Sequence, residues 1–295
     1  MKTKIMWTLV VVLATSFGMV ALAWAVQTSG LAAAGFVSAA PTQTKQQYPV
    51  RGEINRSFQL SPNAQIDVTG IEGAVKVETR NDSRAEIHFV RHARTQRDFD
   101  CETIAVQDSP NSLTIAHQTD ATCRVIQAYE ELTLIVPQSA NLVFGRIEGD
   151  FTVGKTDGYL QLSSIEGSVR VGEVQSAQIE AIEGSVTLSV AHLESQGITV
   201  RAVEGPVELR VANDLNANLR VRAAEGVDID LPNAPNKLIG TNSFQSEDED
   251  RSQRRGTELQ LGTGGPKILI SGIEGRVRIR GTYLSSQSRV LSTEC

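Results

Sequence analysis

A short pattern that recurs along this chain limits what it can fold into: an apolar residue followed by Glu-Gly. The pattern occurs seven times, each time after a stretch in which apolar and polar residues alternate, and a second alternating stretch follows it. Alternation with a period of two is typical of a β-strand with one buried face. The repeating unit is therefore predicted to be a strand, a Glu-Gly corner and a second strand. The glycines of the seven copies are Gly73, Gly149, Gly167, Gly184, Gly205, Gly226 and Gly275.

The spacing of the copies indicates how they assemble. Between Glu148 and Glu225 the glutamates recur at intervals of 18, 17, 21 and 21 residues, which is in the range of solenoid coils. One such coil cannot bury its apolar residues alone, so neighbouring coils must stack with parallel, in-register strands. The predicted fold is all-β, a β-solenoid or β-roll-like stack of short strands. A β-sandwich is the alternative, because antiparallel strands show the same alternation.

The corners themselves carry a structural prediction. The residue before the apolar-Glu-Gly triplet is small in six copies, and Arg146 is the exception. A glycine after the glutamate is expected to supply either a positive φ or a close backbone approach. The predicted structural positions are Gly149, Gly167, Gly184, Gly205, Gly226 and Gly275.

The N-terminus predicts export. Lys2 and Lys4 precede an uncharged stretch from Ile5 to Val26, with Ala-x-Ala sites near its end. Residues 1–26 are thus a signal peptide or an N-terminal membrane anchor. Residues 27–50, rich in Ala, Ser, Thr and Gln, are predicted to form a flexible tether.

The rest of the chain divides by regularity. Residues 51–137 are predicted to form an irregular β cap region that holds the first copy of the repeat, and residues 138–285 the β-repeat domain. A mixed-charge loop at 246–256 interrupts that domain, and residues 286–295 form a tail.

Composition and the absence of known nucleophile motifs argue against nucleic-acid binding and against catalysis. A formal net charge of −6 argues against nucleic-acid binding, which needs a basic surface. The sequence has no Gly-x-Ser-x-Gly or Ser-x-x-Lys nucleophile motif, and the repeat glutamates occupy equivalent positions, so no pair is set apart as acid and base. We therefore expect no catalytic residues, no cofactor and no enzyme activity.

The most distinctive chemical feature is a predicted acidic strip along the corners. In-register stacking would bring successive carboxylates to about 5 Å from one another, where like charges repel. One interpretation is a strip that binds Ca²⁺ or a basic polymer. The other is that each glutamate caps its corner and pairs with arginines such as Arg146, Arg201 and Arg210. The strip consists of Glu148, Glu166, Glu183, Glu204 and Glu225.

The histidines and a small arginine cluster are not predicted to form a functional site. His88 and His92 lie on one face of a strand without the glutamate of a zinc-protease motif, and no metal site is predicted there. His117 and His192 are predicted to be surface or turn residues. Arg91, with Arg94 and Arg97, is predicted to lie on a solvated strand edge.

Two of the three cysteines are candidates for a disulfide. In an oxidising compartment Cys101 and Cys123 would close a loop of some twenty residues, and the alternative is two buried, reduced thiols. Cys295 has no evident partner in the sequence. It is expected to be either a free thiol or part of an intermolecular disulfide.

The chain resembles the bacterial DUF4097 family of β-strand-repeat, adhesin-like proteins. The resemblance covers about residues 60–281 and rests on Leu-Thr-Leu-Ile-Val-Pro at 132–137, the corner units, Ile-Asp-Leu-Pro at 229–232 and the glycine-rich 261–270. The family usually has Ser or Asn before the corner glycine, where this chain has Glu. The resemblance implies an exported β-repeat domain of the cell envelope without an established catalytic site, and it supplies no functional residues.

The predicted function is that of a non-catalytic, exported cell-envelope scaffold or adhesin-like binding module. Its expected location is the periplasm, the outer face of the cytoplasmic membrane or the cell surface of a bacterium. Its expected partner is an envelope protein, a glycan or another copy of the chain, with membrane contact through an uncleaved N-terminal segment. The alternatives are a membrane-tethered sensing or accessory domain and a glycan-active β-helix enzyme.

Overall fold

The computed structural model describes residues 48–123, 126–231, 236–243 and 255–282. The predicted signal peptide or anchor, nearly all of the tether, and the tail at 286–295 with Cys295 lie outside these residues. So does most of the charged loop, although Arg255 and Gly256, at its predicted end, begin a β-strand.

The described residues are almost entirely β-structure. A single short helix, α1 (Gln96–Asp100), is capped at its N-terminus by the side chain of Thr95. The strands of the first part of the chain are β1 (Val50–Gln59), β2 (Gln65–Ile71), β3 (Gly73–Arg80), β4 (Arg84–Ala93), β5 (Glu102–Ser109), β6 (Ser112–Thr119) and β7 (Ala128–Pro137).

The strands of the second part are shorter, and most have six or seven residues. They are β8 (Asn141–Ile147), β9 (Phe151–Thr156), β10 (Leu160–Ile165), β11 (Val169–Val174), β12 (Ala177–Ile182), β13 (Val186–Val190), β14 (Ile198–Val203), β15 (Val207–Ala212), β16 (Ala217–Ala223), β17 (Val227–Asp230), β18 (Asn236–Ser243), β19 (Arg255–Leu261), β20 (Lys267–Ile273) and β21 (Val277–Thr282).

Each copy of the repeat contributes one strand to each of two sheets. The strand before the Glu-Gly corner joins an eleven-stranded sheet, with the order β18-β19-β16-β20-β14-β12-β10-β8-β2-β6-β5. The strand after the corner joins a ten-stranded sheet, with the order β1-β4-β7-β3-β9-β11-β13-β15-β21-β17.

Within the repeats the strands of each sheet run parallel and in register. Leu160 of β10 pairs with Leu142 of β8 on one side and with Ala177 of β12 on the other. In the second sheet Val169 of β11 lies between Phe151 and Val186 in the same way. The prediction of a stacked β-solenoid is confirmed, and the alternative of an antiparallel sandwich is wrong for the repeats.

The apolar residues of both sheets form one core. In β10 the side chains of Leu160 and Leu162 are fully buried, and in β11 Val169 and Val171 are only 1% exposed, whereas the residues between them face outward. Burying one such side chain contributes about 1.5–3 kcal/mol, so the stacked coils share a large hydrophobic stabilisation.

The first copy of the repeat is part of this stack. Although it lies in the expected cap region 51–137, β2 pairs with β8 and β3 pairs with β9, both in parallel. Beyond it, β6 and β7 still pair in parallel with β2 and β3. The outer pairings are antiparallel: β4 pairs with β1 and β7, and β5 pairs with β6. These longer strands extend both sheets at this end of the stack.

The seventh copy does not follow the sixth in space. Strand β20 lies between β14 and β16, and β21 lies between β15 and β17, so the last coil along the chain is inserted between the fifth and sixth coils. The intervening β18 and β19 pair antiparallel on the far side of β16.

Candidate functional site

Six of the seven corner-forming strands end in an unusual backbone conformation. Four residues other than glycine, each directly before an apolar-Glu-Gly triplet, have a positive φ of 53–56°. Gly70 and Gly272 occupy the equivalent position with φ of 79° and 66°. The left-handed conformation costs about 1–2 kcal/mol for residues with a Cβ. The four residues are Arg146, Ser164, Ala181 and Ala202.

The glycine after the glutamate is needed for close packing between coils. Gly184 has no positive φ, but a Cβ placed on it would lie 2.5 Å from the carbonyl oxygen of Gly167. A Cβ on Gly205 would lie 2.5 Å from the carbonyl oxygen of Gly184. Two reasons were predicted for a corner glycine, a positive φ and a close backbone approach. The close approach applies to Gly184 and Gly205. Gly226 instead has a positive φ, of 107°. The corner glycines Gly73, Gly149, Gly167, Gly184, Gly205 and Gly275 form a ladder from coil to coil.

The glutamates of the corners also follow one another through the stack. The backbone N–H of Glu166 donates to the carbonyl of Ile147 at 2.9 Å, and that of Glu183 donates to the carbonyl of Ile165 at 3.0 Å. The same bond joins Glu274 to Val203 of the fifth coil. Glu274 therefore follows Glu204 in space, and Glu225 of the predicted acidic strip is separated from Glu204 by the inserted coil.

These glutamates line a groove of about 640 Å³ along the corner edge of the stack. The left-handed residues, from Arg146 at one end to Gly272 at the other, line it as well. We call this feature the acidic groove; its five carboxylate residues are exposed and are Glu148, Glu166, Glu183, Glu204 and Glu274.

The expected arginine partners are engaged elsewhere. The guanidinium of Arg146 donates to the hydroxyl of Thr69, and Arg201 pairs with Glu180 at 2.5 Å. Arg210 pairs with Glu208, which lowers the pKa of that carboxyl through the hydrogen bond from the guanidinium. No hydrogen bond or ion pair between described residues engages the carboxylate of any of the five glutamates of the acidic groove. The five carboxylates are thus available to a ligand.

A second polar cluster lies at the first coil, and sequence analysis missed it. Arg91 is only 4% exposed, and its guanidinium contacts the carboxylate of Glu130 at 2.6 Å. The side chain of His117 is 8% exposed and lies 3.6 Å from the carboxylate of Glu102. The predictions that Arg91 lies on a solvated edge and that His117 is a surface or turn residue are therefore wrong. Both side chains are buried because the β5–β6 hairpin packs beside β2, a long-range pairing without a local sequence signal.

Among the described residues, the other histidines belong to no group of three side chains that could hold a metal ion. His88 contacts the side-chain oxygen of Asn55 at 2.6 Å, and the ring of His92 stacks on Tyr129 with 4.7 Å between centroids. His192 is exposed.

Cys101 and Cys123 are joined by a disulfide, with their Cα atoms 6.0 Å apart. The bond closes the segment between α1 and the end of the β5–β6 hairpin. It fixes the residue next to Glu102, one member of the buried cluster.

One phosphate-binding pattern occurs in the chain. Residues 149–156 read Gly-Asp-Phe-Thr-Val-Gly-Lys-Thr, which matches Gly-x-x-x-x-Gly-Lys-Thr. The structure places most of the pattern in β9, where Phe151 and Val153 are buried in the core. A phosphate loop must instead wrap the ligand before a helix. The match therefore has no phosphate-binding geometry.

Comparison with known proteins gives matches of low identity among solved structures. No family model and no curated protein sequence matches the chain. Among solved structures, a "putative cell adhesion protein" from Clostridium sporogenes has 11% identity and a TM-score of 0.38, with 78% of this chain and 100% of that chain covered. A "putative adhesin" from Bacteroides fragilis has 15% identity and a TM-score of 0.36, with 78% and 98% covered. A "putative lipid binding protein" from Parabacteroides distasonis has 12% identity and a TM-score of 0.25, with 78% and 97% covered.

Among the residues that the structure describes, no helix has the length and apolar character needed to cross a membrane.

Proposed function

We propose that this chain is a non-catalytic, exported binding module of the bacterial cell envelope. We further propose that its acidic groove binds an extended, positively charged segment of a partner protein. The observation that carries the proposal is the row of five exposed carboxylates, one per coil, that no described residue pairs.

The regular spacing of the groove favours an extended ligand. Neighbouring parallel strands lie about 4.8 Å apart, so the stack presents one carboxylate at about that interval. Each corner is held by a backbone hydrogen bond to the next coil, as between Glu204 and Ile182 at 3.0 Å. The fold therefore fixes the backbone of the acidic row before a ligand arrives, which reduces the entropy cost of binding.

A single Ca²⁺ ion is a poorer fit to the groove. Calcium takes six to eight oxygen ligands that converge on one point. Among the described residues, the acid and histidine groups close enough to share one metal ion do not include the groove carboxylates. Charges spread along a groove suit a ligand whose own charges are spread, such as a Lys-rich or Arg-rich segment.

An enzymatic role for the groove has no support in its geometry. Acid–base hydrolysis needs two carboxylates in different environments. The five groove carboxylates occupy equivalent corner positions and are all exposed. Export is supported by the apolar stretch at residues 5–26 and agrees with the disulfide between Cys101 and Cys123.

The test is a binding titration of a fluorescent ten-residue lysine peptide with the full-length protein. The Glu166→Gln, Glu183→Gln, Glu204→Gln triple variant should bind at least about tenfold more weakly, since each exposed ion pair contributes about 0.5 kcal/mol. Raising the salt concentration should weaken wild-type binding further.

The control removes three charges outside the groove. Glu78, Glu131 and Glu194 are exposed, and their change to Gln alters the net charge equally. Wild-type affinity in this control would assign binding to the groove. An equal loss in both triple variants would show that only the net charge matters and would contradict the proposal.

A further inference from the structure

The buried polar cluster at the first coil brings together residues distant in the sequence. Glu102 begins β5 and His117 lies near the end of β6, so the hairpin places both at one end. Glu72 occupies the first Glu-Gly corner. One oxygen or nitrogen atom from each of these three side chains lies within 4.8 Å of the others. Next to them, Glu130 of β7 pairs with Arg91 of β4.

The charges of this cluster do not balance. Arg91 neutralises Glu130 through contacts of 2.6 and 3.2 Å, and its guanidinium also lies 5.4 Å from the ring centroid of Phe89. Among the described residues, no lysine or arginine forms an ion pair with the carboxylate of Glu102, although the guanidinium of Arg91 donates to the backbone carbonyl of that residue. The three carboxyl groups of Glu72, Glu102 and Glu130 therefore share one guanidinium, that of Arg91.

Glu102 carries the strongest sign of a missing ligand. The residue is 5% exposed, and its Oε2 atom is buried without a hydrogen-bond partner. A buried, unpaired carboxylate oxygen is costly, so native structures satisfy such groups with a donor or a metal ion. Burial raises the pKa of this carboxyl and the charge of Glu72 raises it further, while His117 and Arg91 oppose the shift.

The histidine presents a lone pair to the same point. Its Nδ1 lies 2.7 Å from the carbonyl oxygen of Gly70, which only accepts, so Nδ1 carries the proton and donates. In the neutral imidazole Nε2 is then unprotonated, and it faces Oε1 of Glu102 at 3.6 Å. The hydroxyl of Thr119 lies 3.3 Å from Nε2 but brings no charge. A cation between Nε2 and the carboxylate, either a proton or a metal ion, would satisfy both groups.

We propose that Glu72, Glu102 and His117 bind one divalent transition-metal ion, with Zn²⁺ as the best fit. Imidazole with carboxylates is a donor set that Zn²⁺ accepts, whereas Ca²⁺ prefers oxygen ligands alone. Three protein ligands leave a fourth position for water.

The surroundings of the cluster suit a metal site. The Nδ1–H bond to Gly70 fixes the tautomer and orientation of His117, as a backbone carbonyl does behind many metal-bound histidines. Ligand atoms of a tetrahedral zinc site lie about 3.3 Å apart, which follows from bonds of about 2.0 Å. The three ligand atoms now lie within 4.8 Å of one another, and a small movement of the Glu72 side chain toward Glu102 and His117 would bring them to the zinc spacing. A cavity of about 240 Å³, lined by Glu72, His117 and Arg146, gives an ion access.

The test is calorimetric titration of metal-free, full-length protein with Zn²⁺, together with the visible absorption of the Co²⁺ form. Wild-type protein should bind one ion per chain. His117→Gln and Glu102→Gln should each weaken binding by at least about 100-fold, the upper end of what losing an outer-shell partner costs. The Co²⁺ absorption bands should be lost in both variants.

Two further variants keep the test decisive. Glu72→Gln changes a corner residue outside the buried core and should weaken Zn²⁺ binding without unfolding the protein. His192→Gln removes an exposed histidine elsewhere and should leave the affinity unchanged. Wild-type protein that binds no Zn²⁺, or binding that is equal in wild type, Glu72→Gln and Glu102→Gln, would overturn the proposal. The triple glutamine variant of the acidic groove should bind Zn²⁺ with wild-type affinity. That result would support the proposal, because it excludes the three substituted groove carboxylates as ligands.

Discussion

At the scale of single residues, the backbone before each corner is the least expected feature. Ala181 and Ala202 have a left-handed conformation although glycine would adopt it more easily. Gly272 shows that the same corner accepts glycine. The alanines therefore retain local strain that a substitution can release.

Ala202→Gly should raise the free energy of unfolding by about 0.5–1 kcal/mol, since relief of left-handed strain exceeds the entropy cost of glycine. The matched control is Ala74→Gly, because Ala74 is also exposed in a strand but has no positive φ. The control should lose about 0.5–1 kcal/mol. Urea unfolding measures both, and equal destabilisation of the two variants would refute the strain argument.

At the scale of the coil, the glycine ladder sets how closely one corner lies on the next. Gly184 and Gly205 each approach the carbonyl of the preceding corner so closely that a Cβ does not fit. The clash is with backbone, which cannot rotate away as a side chain does. The corner glycines are therefore required by contact between coils.

Gly184→Ala and Gly205→Ala should each lower the free energy of unfolding by about 1–3 kcal/mol, the usual cost of overpacking. Gly154→Ala is the control, because its added Cβ would meet only the hydroxyl of Thr79 at 3.9 Å. Thermal melting of the three variants is the measurement. Unchanged melting temperatures for Gly184→Ala and Gly205→Ala would show that the corners open without cost.

The coil is also the scale at which sequence was most informative. Period-two alternation around Glu-Gly was sufficient to predict the strands and their parallel stacking, because both follow from local pattern and spacing. The order of the coils was not predictable, because the apolar residues of every copy alternate in the same way and do not specify a neighbour. In the structure Ile268 lies between Ile198 and Leu219. The buried states of Arg91 and His117 were missed for the same reason: they depend on pairing between distant strands.

At the scale of the whole molecule, the stack converts a repeated residue into a surface. Residues that are 126 positions apart in sequence, Glu148 and Glu274, line one groove because the seventh coil is inserted after the fifth. At the end of the same stack, the first coil and the β5–β6 hairpin enclose the Glu72, Glu102 and His117 cluster. The two proposed sites are separate in chemistry, one being an exposed acidic row and the other a buried mixed-ligand cluster.

The acidic groove is the proposed binding surface. Amide hydrogen exchange of the full-length protein with and without the ten-residue lysine peptide tests this directly. We expect slower exchange at the corner amides of Glu166, Glu183, Glu204 and Glu274, with the outer strands β1 and β18 unchanged. Protection located on the flat faces of the sheets, or no protection at the corners when the peptide is bound, would contradict it.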